Sequence, residues 1–255
     1  MPDTILQELS DGVLVITLNR PHRKNAFNNE QWHAFADAME SAQSNDRVNV
    51  VVITGAGGHF SSGVDLAEFG GEEGAKPFER ASWAVMNFDK PLIAAAPGVA
   101  IGGGATLLFH CDVVYVGESL KMRLPFVNLG LVPEWASSYM LQVNIGARRA
   151  AELFYTAEWI NAERAVETGI ATRAYADDAL LDKAKAKAAE MAQWPVRSLQ
   201  ETKRCLKVAH QAGIQAAVEV EMAGMQKQAG SPENIEAVMA FMEKRQPDFK
   251  KLLTD

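Results

Sequence analysis

Two uninterrupted apolar runs, each closed by a glycine turn, constrain this chain more than any other feature. Val50 to Ile53 within "VNVVVITG", Val48 to Gly55, and the run Leu92 to Ala96 are apolar at successive positions. Side chains of a strand alternate between its two faces, so a strand apolar at every position is buried on both. Such strands belong in the middle of a mostly parallel sheet with cover on either side, which predicts an α/β body.

The flanking pattern agrees. Ile5 to Leu9 and Val13 to Leu18 meet across "SDG", a hairpin signal. Asn28 or Asn29 can cap a helix in which Trp32, Phe35, Ala36 and Met39 recur at helical spacing. A helical piece over Phe78 to Phe88 precedes the strand Leu92 to Ala96. An apolar helix, Gly103 to His110, and a strand, Val113 to Gly117, follow it. From about Trp135 onward the pattern is almost wholly helical: 137–145, 147–154, 162–168, 178–193, 196–211, 214–228 and 232–245. We divide the chain into a core, 1–195, and a C-terminal helical region, 196–255.

Composition excludes several partners. With 25 Lys+Arg against 32 Asp+Glu the net charge is −7 and no long basic run occurs, which argues against nucleic acid or an anionic membrane. The longest apolar region, Pro91 to Phe109, is broken by Pro97, Gly98 and three successive glycines, so a membrane span is not expected. The start of the chain lacks the pattern of a signal peptide, and its two cysteines, Cys111 and Cys205, suggest neither a disulfide framework nor a metal site. A cytoplasmic protein is expected.

Two glycine loops and one acid carry the chemistry. "GHFSSGVDL", Gly58 to Leu66, leaves a core strand with backbone N–H groups that have no strand partner; the N–H of Val64, freed by Gly63, and the backbone of Asp65 and Leu66 are the positions of interest. Gly102, Gly103 and Gly104 strip every β-carbon from the start of a second turn. The triple glycine lacks both the GxGxxG spacing and a Walker lysine. Two donors from separate loops suggest instead an oxyanion hole for a thioester or other acyl carbonyl. Downstream, Glu134 stands between Pro133 and Trp135 in an apolar stretch. It is either a helix-capping acid or a carboxylate that moves protons. His59, His110 and Glu118 are further polar candidates, but His110, Cys111 and Asp112 are adjacent and point in different directions, which disfavours a metal site or a triad.

Several separated motifs together resemble the crotonase, or enoyl-CoA hydratase/isomerase, superfamily: "LNRPHRKNAFN" (Leu18–Asn28), "VVITGAGGHFSSGVDL" (Val51–Leu66), "KPLIAAAPGVAIGGGATLLFHCDVVYV" (Lys90–Val116), "LPFVNLGLVPE" (Leu124–Glu134) and the ending "FMEKRQPDF". The resemblance implies a spiral of ββα units, a C-terminal helical region used in trimerisation, a homotrimer or a dimer of trimers, and an acyl-CoA thioester as substrate with no further cofactor or metal. It places the oxyanion hole on the N–H groups of Val64 and Gly103. It places CoA contacts on Arg23, Lys24, Ala26, Ser62, Asp65 and Leu66, with Lys24 the leading side chain.

The departures from the family pattern narrow the reaction. Where hydratases of the family carry two glutamates, this chain has Thr106 and Phe126. Neither can activate water near neutral pH. Glu134 matches the single catalytic glutamate of the Δ3,Δ2-enoyl-CoA isomerases, to which "NLGLVPE" is similar. The expected roles are a proton shuttle for Glu134, helix packing beside the substrate site for Thr106, and acyl-site lining for Phe126 and Trp135, with further acyl contacts from "GGEEGAKPFE". The alternatives are a weak hydratase, a dehalogenase, which needs an aspartate at position 134, and a CoA-binding scaffold without turnover.

Overall fold

The computed structural model describes residues 3–66 and 73–252. Strands β1 (Ile5–Ser10) and β2 (Val13–Leu18) form the expected hairpin, paired from Ile5↔Leu18 to Ser10↔Val13. Asp11 and Gly12 turn it with φ of 49° and 80°, the doubly left-handed turn whose twist suits a two-residue hairpin loop. Asn28 caps α1 (Asn29–Ser44) by accepting the Gln31 N–H.

Next come β3 (Val50–Gly55), α2 (Lys76–Met86), β4 (Leu92–Ala96), β5 (Val99–Ile101), α3 (Gly103–Thr106), β6 (Val113–Gly117) and β7 (Lys121–Arg123). α4 (Ser137–Ile145), α5 (Ala147–Thr156), α6 (Ala162–Thr168), β8 (Arg173–Tyr175), α7 (Asp177–Ala192), α8 (Val196–Val208), α9 (Gln211–Gln228) and α10 (Pro232–Met242) complete the order. The main sheet runs β1-β2-β3-β4-β6-β8, parallel from β2 onward. β5 and β7 form a second, two-stranded parallel sheet.

Both faces of the main sheet are covered, as the apolar runs require. Val13, Val15, Val50, Val52, Ile93, Ala95 and Tyr115 pack against Leu180, Ala184 and Ala188 of α7. The alternate positions, among them Leu14, Ile16, Val51, Ile53, Ala94 and Val116, face the larger core with Trp32, Phe35 and Met39 of α1. The strands β5, β7 and β8 were not anticipated. At three residues each they are too short to show a period. The apolar helix expected over Gly103–His110 is a single α turn followed by a tighter 3₁₀ turn, Leu107–His110.

The C-terminal helices close over this body. The division drawn at 195/196 falls in the turn between α7 and α8. Lys203 of α8 is buried and donates to the Asp112 carboxylate (2.7 Å) and the Lys90 carbonyl (2.8 Å), an ion pair that anchors the helix to the sheet body. On α9, Ile214, Val218, Met222 and Met225 recur at helical spacing. Val218 joins the core with Ile214 packed against it, while Met222 and Met225 wall a cavity, Met222 keeping 44% of its surface exposed. The apolar residues left outward on α8–α10 include Leu206, Val220, Phe241 and Met242. No helix among the described residues is long and apolar enough to cross a membrane.

Candidate active site

The loop after β3 and the turn after β5 lie side by side because glycine permits it. A β-carbon on Gly63, whose φ is 87°, would come 2.6 Å from the Ile101 carbonyl oxygen and 3.4 Å from the Gly103 nitrogen. One on Gly104 would lie 2.4 Å from the Ser61 carbonyl. Both positions therefore exclude any side chain.

The direction of the Val64 N–H follows from strand geometry. Phe27 and Val64 form a parallel bridge in which Phe27 donates to the Gly63 carbonyl (2.7 Å) and accepts from the Asp65 N–H (2.8 Å). Val64's own N–H faces the other way. Among the described residues neither it nor the Gly103 N–H donates a hydrogen bond, whereas Gly102, Ala105 and Thr106 all donate theirs. Two free donors from adjacent loops are the elements of an oxyanion hole. The Asp65 N–H, also singled out in the sequence, is spent on Phe27.

Glu134 abuts the second donor: a β-carbon on Gly103 would sit 3.2 Å from its Oε1. It is half-buried, and the surface it keeps faces a cavity of about 400 Å³. Burial, then the nearby Glu221 carboxylate, pushes its pKa up to about 7. The segment after it is strained. Trp135 and Ala136 hold φ of 61° and 52°, the left-handed region that non-glycine residues adopt at a cost of about 1–2 kcal/mol each. Four hydrogen bonds hold this turn. His110 donates from Nε2 to the Trp135 carbonyl (2.6 Å), the Trp135 indole donates to the Ser82 carbonyl (3.3 Å), and Glu221 accepts from the N–H groups of Ala136 (2.7 Å) and Ser138 (2.8 Å). Burial lowers the His110 pKa to about 4. The imidazole is thus neutral, protonated at Nε2, and serves as a structural donor rather than a metal ligand or triad member.

The cavity is walled by rings. Phe27 stacks on Trp32 (3.9 Å between centroids), and Trp32, Phe78 and Trp135 meet edge to face at 5.3–6.0 Å. Val64, Val218, Met222 and Met225 add aliphatic wall. Of the expected residues, the structure brings Val64, Gly103, Glu134 and Trp135 together here. Phe126 does not line the cavity. It is buried against Phe154 (6.3 Å between centroids). Thr106 is buried too, its hydroxyl donating to the Gly103 carbonyl (3.3 Å). The acyl-lining segment Gly70–Glu79 lies outside the described residues as far as Glu72; beyond that, Gly74, Ala75, Phe78 and Glu79 reach the cavity.

Arg23, Lys24, Ala26, Ser62, Asp65 and Leu66 form a separate patch beside Val64. Ser62 donates its N–H to the Lys24 carbonyl (2.9 Å) and its hydroxyl to the Arg23 carbonyl (3.1 Å). Asn25, fully buried, donates to the carbonyls of Ala56 (2.9 Å) and His59 (2.7 Å). Arg20 pairs with Asp65 (3.0 Å) and donates to the Ala26 carbonyl. The two loops are thereby locked together, with the Arg23, Lys24 and Leu66 side chains exposed and Ala26 buried.

Sequence and structure comparisons decide the family. Residues 8–252 match the enoyl-CoA hydratase/isomerase family model. The chain belongs to the enoyl-CoA hydratase/isomerase family. Its relatives in Escherichia coli K12 include a 2,3-dehydroadipyl-CoA hydratase, 33% identical over 93% of this chain and 95% of the relative. A 1,2-epoxyphenylacetyl-CoA isomerase of the same organism is 30% identical over 98% and 99%. The crystal structure of an enoyl-CoA hydratase/isomerase from Pseudoalteromonas atlantica superposes with a TM-score of 0.93 at 35% identity, covering 96% of this chain and 99% of that one. The crotonase fold implied by the motifs is the fold observed. Sequence reasoning placed Phe78 in its expected acyl-contact segment but missed Trp32 and Glu221 as residues lining this cavity. Trp32 sits on a helix face indistinguishable from core, and Glu221 is one acid in a helix far along the chain.

Proposed function

We propose that this protein is a Δ3,Δ2-enoyl-CoA isomerase. The observation that carries the reading is one carboxylate with a pKa near 7, set against two unpartnered backbone N–H donors in an aromatic-walled cavity. With the thioester oxygen between the N–H groups of Val64 and Gly103, Glu134 takes a proton from C2 of a 3-enoyl-CoA. The electrons spread over C2, C3, C4 and the oxygen as a dienolate that both N–H groups stabilise. The carboxylic acid so formed returns the proton at C4, giving the 2-enoyl-CoA. A group that must both accept and release a proton works best with a pKa near the working pH.

Hydration needs acid and base groups to orient water. Thr106 is closed into its own turn and Phe126 into the core, so neither supplies one. Glu221 shares the cavity, but each of its oxygens already accepts a backbone N–H. We place the CoA moiety over Arg23, Lys24, Ala26, Ser62, Asp65 and Leu66, whose locked loops lead to Val64. We further assign the protein to acyl-CoA catabolism in the cytoplasm, a reading its two free cysteines support, and to a trimer-based assembly, which the outward apolar residues of α8–α10 support.

Glu134→Gln tests the reading. The amide keeps the shape of the group but cannot accept the proton, so kcat for 3-enoyl-CoA is expected to fall on the order of 10²- to 10⁴-fold with acyl-CoA affinity retained. A native rate in this variant, or hydration of 2-enoyl-CoA by the native protein faster than isomerisation, overturns it.

A further inference from the structure

Helix α4 begins at Ala136 with no local side chain capping it. The orphan N–H groups of a helix start are ordinarily met by a Ser, Thr, Asp or Asn at the first position. Here the acceptor comes from α9, 83 residues beyond Ser138 in the chain: Glu221 Oε2 takes the Ala136 N–H and Oε1 the Ser138 N–H. Glu221 is 6% exposed and borders the same cavity as Glu134. The first of these bonds is made within the left-handed turn Trp135–Ala136, directly after the acid on which the proposed function rests.

We propose that Glu221 is a positioning residue for this reaction: it clamps the turn that aims Glu134 at the oxyanion hole, and so makes the C-terminal helix α9 part of the active site. A neutral local cap would hold the helix start without placing a second buried negative charge beside Glu134, a costly arrangement for any other purpose. The groups facing Glu221 are all neutral or acidic: Glu134 from the loop before α4, Ser138 from α4, Glu79 of α2 across the cavity, and neutral His110 behind Trp135. No basic side chain is among the described residues lining the cavity. Burial raises the Glu221 pKa, and the N–H groups and the positive end of α4 oppose that rise in favour of its charged form. After burial, a charge on Glu221 is the second influence that disfavours a charge on Glu134 and raises its pKa, which suits it to carry a proton in both directions.

The inference rests on Glu134 acting as the proton carrier, and the test separates the two. Glu221→Gln, Glu221→Asp and Glu134→Gln are assayed with 3-hexenoyl-CoA across pH. In Glu221→Gln, kcat is expected to fall at least about tenfold, since small misplacements of a reacting group are that costly. The acidic limb of kcat/KM, expected near pH 7 in the native enzyme from the raised Glu134 pKa, should move to lower pH because a neighbouring negative charge is gone. Glu221→Asp keeps the charge but shortens the reach, so its kcat falls while its limb stays in place; this variant carries the test if the amide variant does not fold. An unmoved limb in Glu221→Gln, or native kcat in Glu221→Asp, overturns the inference. A fully active Glu134→Gln instead overturns the function itself. Loss of activity in Glu134→Gln with native behaviour of both Glu221 variants removes the positioning role alone.

Discussion

Glu134→Gln is expected to change stability as well as rate, and with a pH dependence that identifies the cause. The Glu134 pKa stands at about 7 in the folded protein against 4.5 for an ordinary glutamate. Well below the lower value the group is protonated both folded and unfolded, and its shift costs nothing. As pH rises, the unfolded chain ionises first while the folded one still holds its proton. The folded state loses relative stability through that interval, and the loss levels off once pH passes the folded value. A gap of this width corresponds to about 3 kcal/mol. Glutamine does not titrate. The buried amide adds its own desolvation cost, but that cost is the same at every pH and cancels when the variant-minus-native difference is followed against pH. Carboxylates other than the neighbouring Glu221 titrate alike in both proteins. Urea unfolding of each protein between about pH 4 and pH 8.5 should show this difference climbing in favour of Gln by about 3 kcal/mol, most steeply between the two pKa values. A difference flat with pH would mean that Glu134 ionises like a solvated acid, and the argument from burial would be wrong.

Two further outcomes follow from the backbone and the basic patch. Gly63→Ala places a carbon 2.6 Å from the Ile101 carbonyl at a φ of 87°, so the Val64 donor must shift; kcat should fall about 10²-fold or more, the usual cost of losing one oxyanion donor, while unchanged kcat would dissociate Val64 from catalysis. Lys24→Ala should weaken acyl-CoA binding more at low salt than at moderate salt, as an exposed phosphate contact would. Titration calorimetry giving equal affinities at both salts would remove Lys24 from the CoA site.

How much of this was legible in the sequence depended on how local each signal is. The sheet core was readable because Val50–Ile53 and Leu92–Ala96 are apolar on both faces, a pattern that only a doubly covered strand tolerates. The two glycine turns were readable because glycine is required where backbones touch, as at Gly63 and Gly104. Glu134 stood out as one acid in an apolar stretch. What the chain builds over long separations was not legible. Nothing local marks Glu221 as the cap of a helix 83 residues away, nor Met222 and Met225 as part of a cavity wall. Phe126 shows the same limit, since an aromatic beside a site reads alike whether it faces the ligand or, as here, Phe154. His110 was noticed for its chemistry, but its use, a neutral donor holding a strained turn, is a property of the fold.

The path of one hydrogen atom tests the central claim most directly. If Glu134 alone removes the C2 proton and returns it at C4 inside a cavity walled by Trp32, Phe78 and Trp135, the proton has little opportunity to exchange with bulk water. A 3-enoyl-CoA deuterated at C2 is converted by the purified enzyme in ordinary water, and the 2-enoyl-CoA product is analysed by NMR and mass spectrometry at low conversion. The single-carboxylate shuttle predicts that a substantial share of product carries deuterium at C4. Product with no deuterium at C4, or a 3-hydroxyacyl-CoA as the main product, would contradict it.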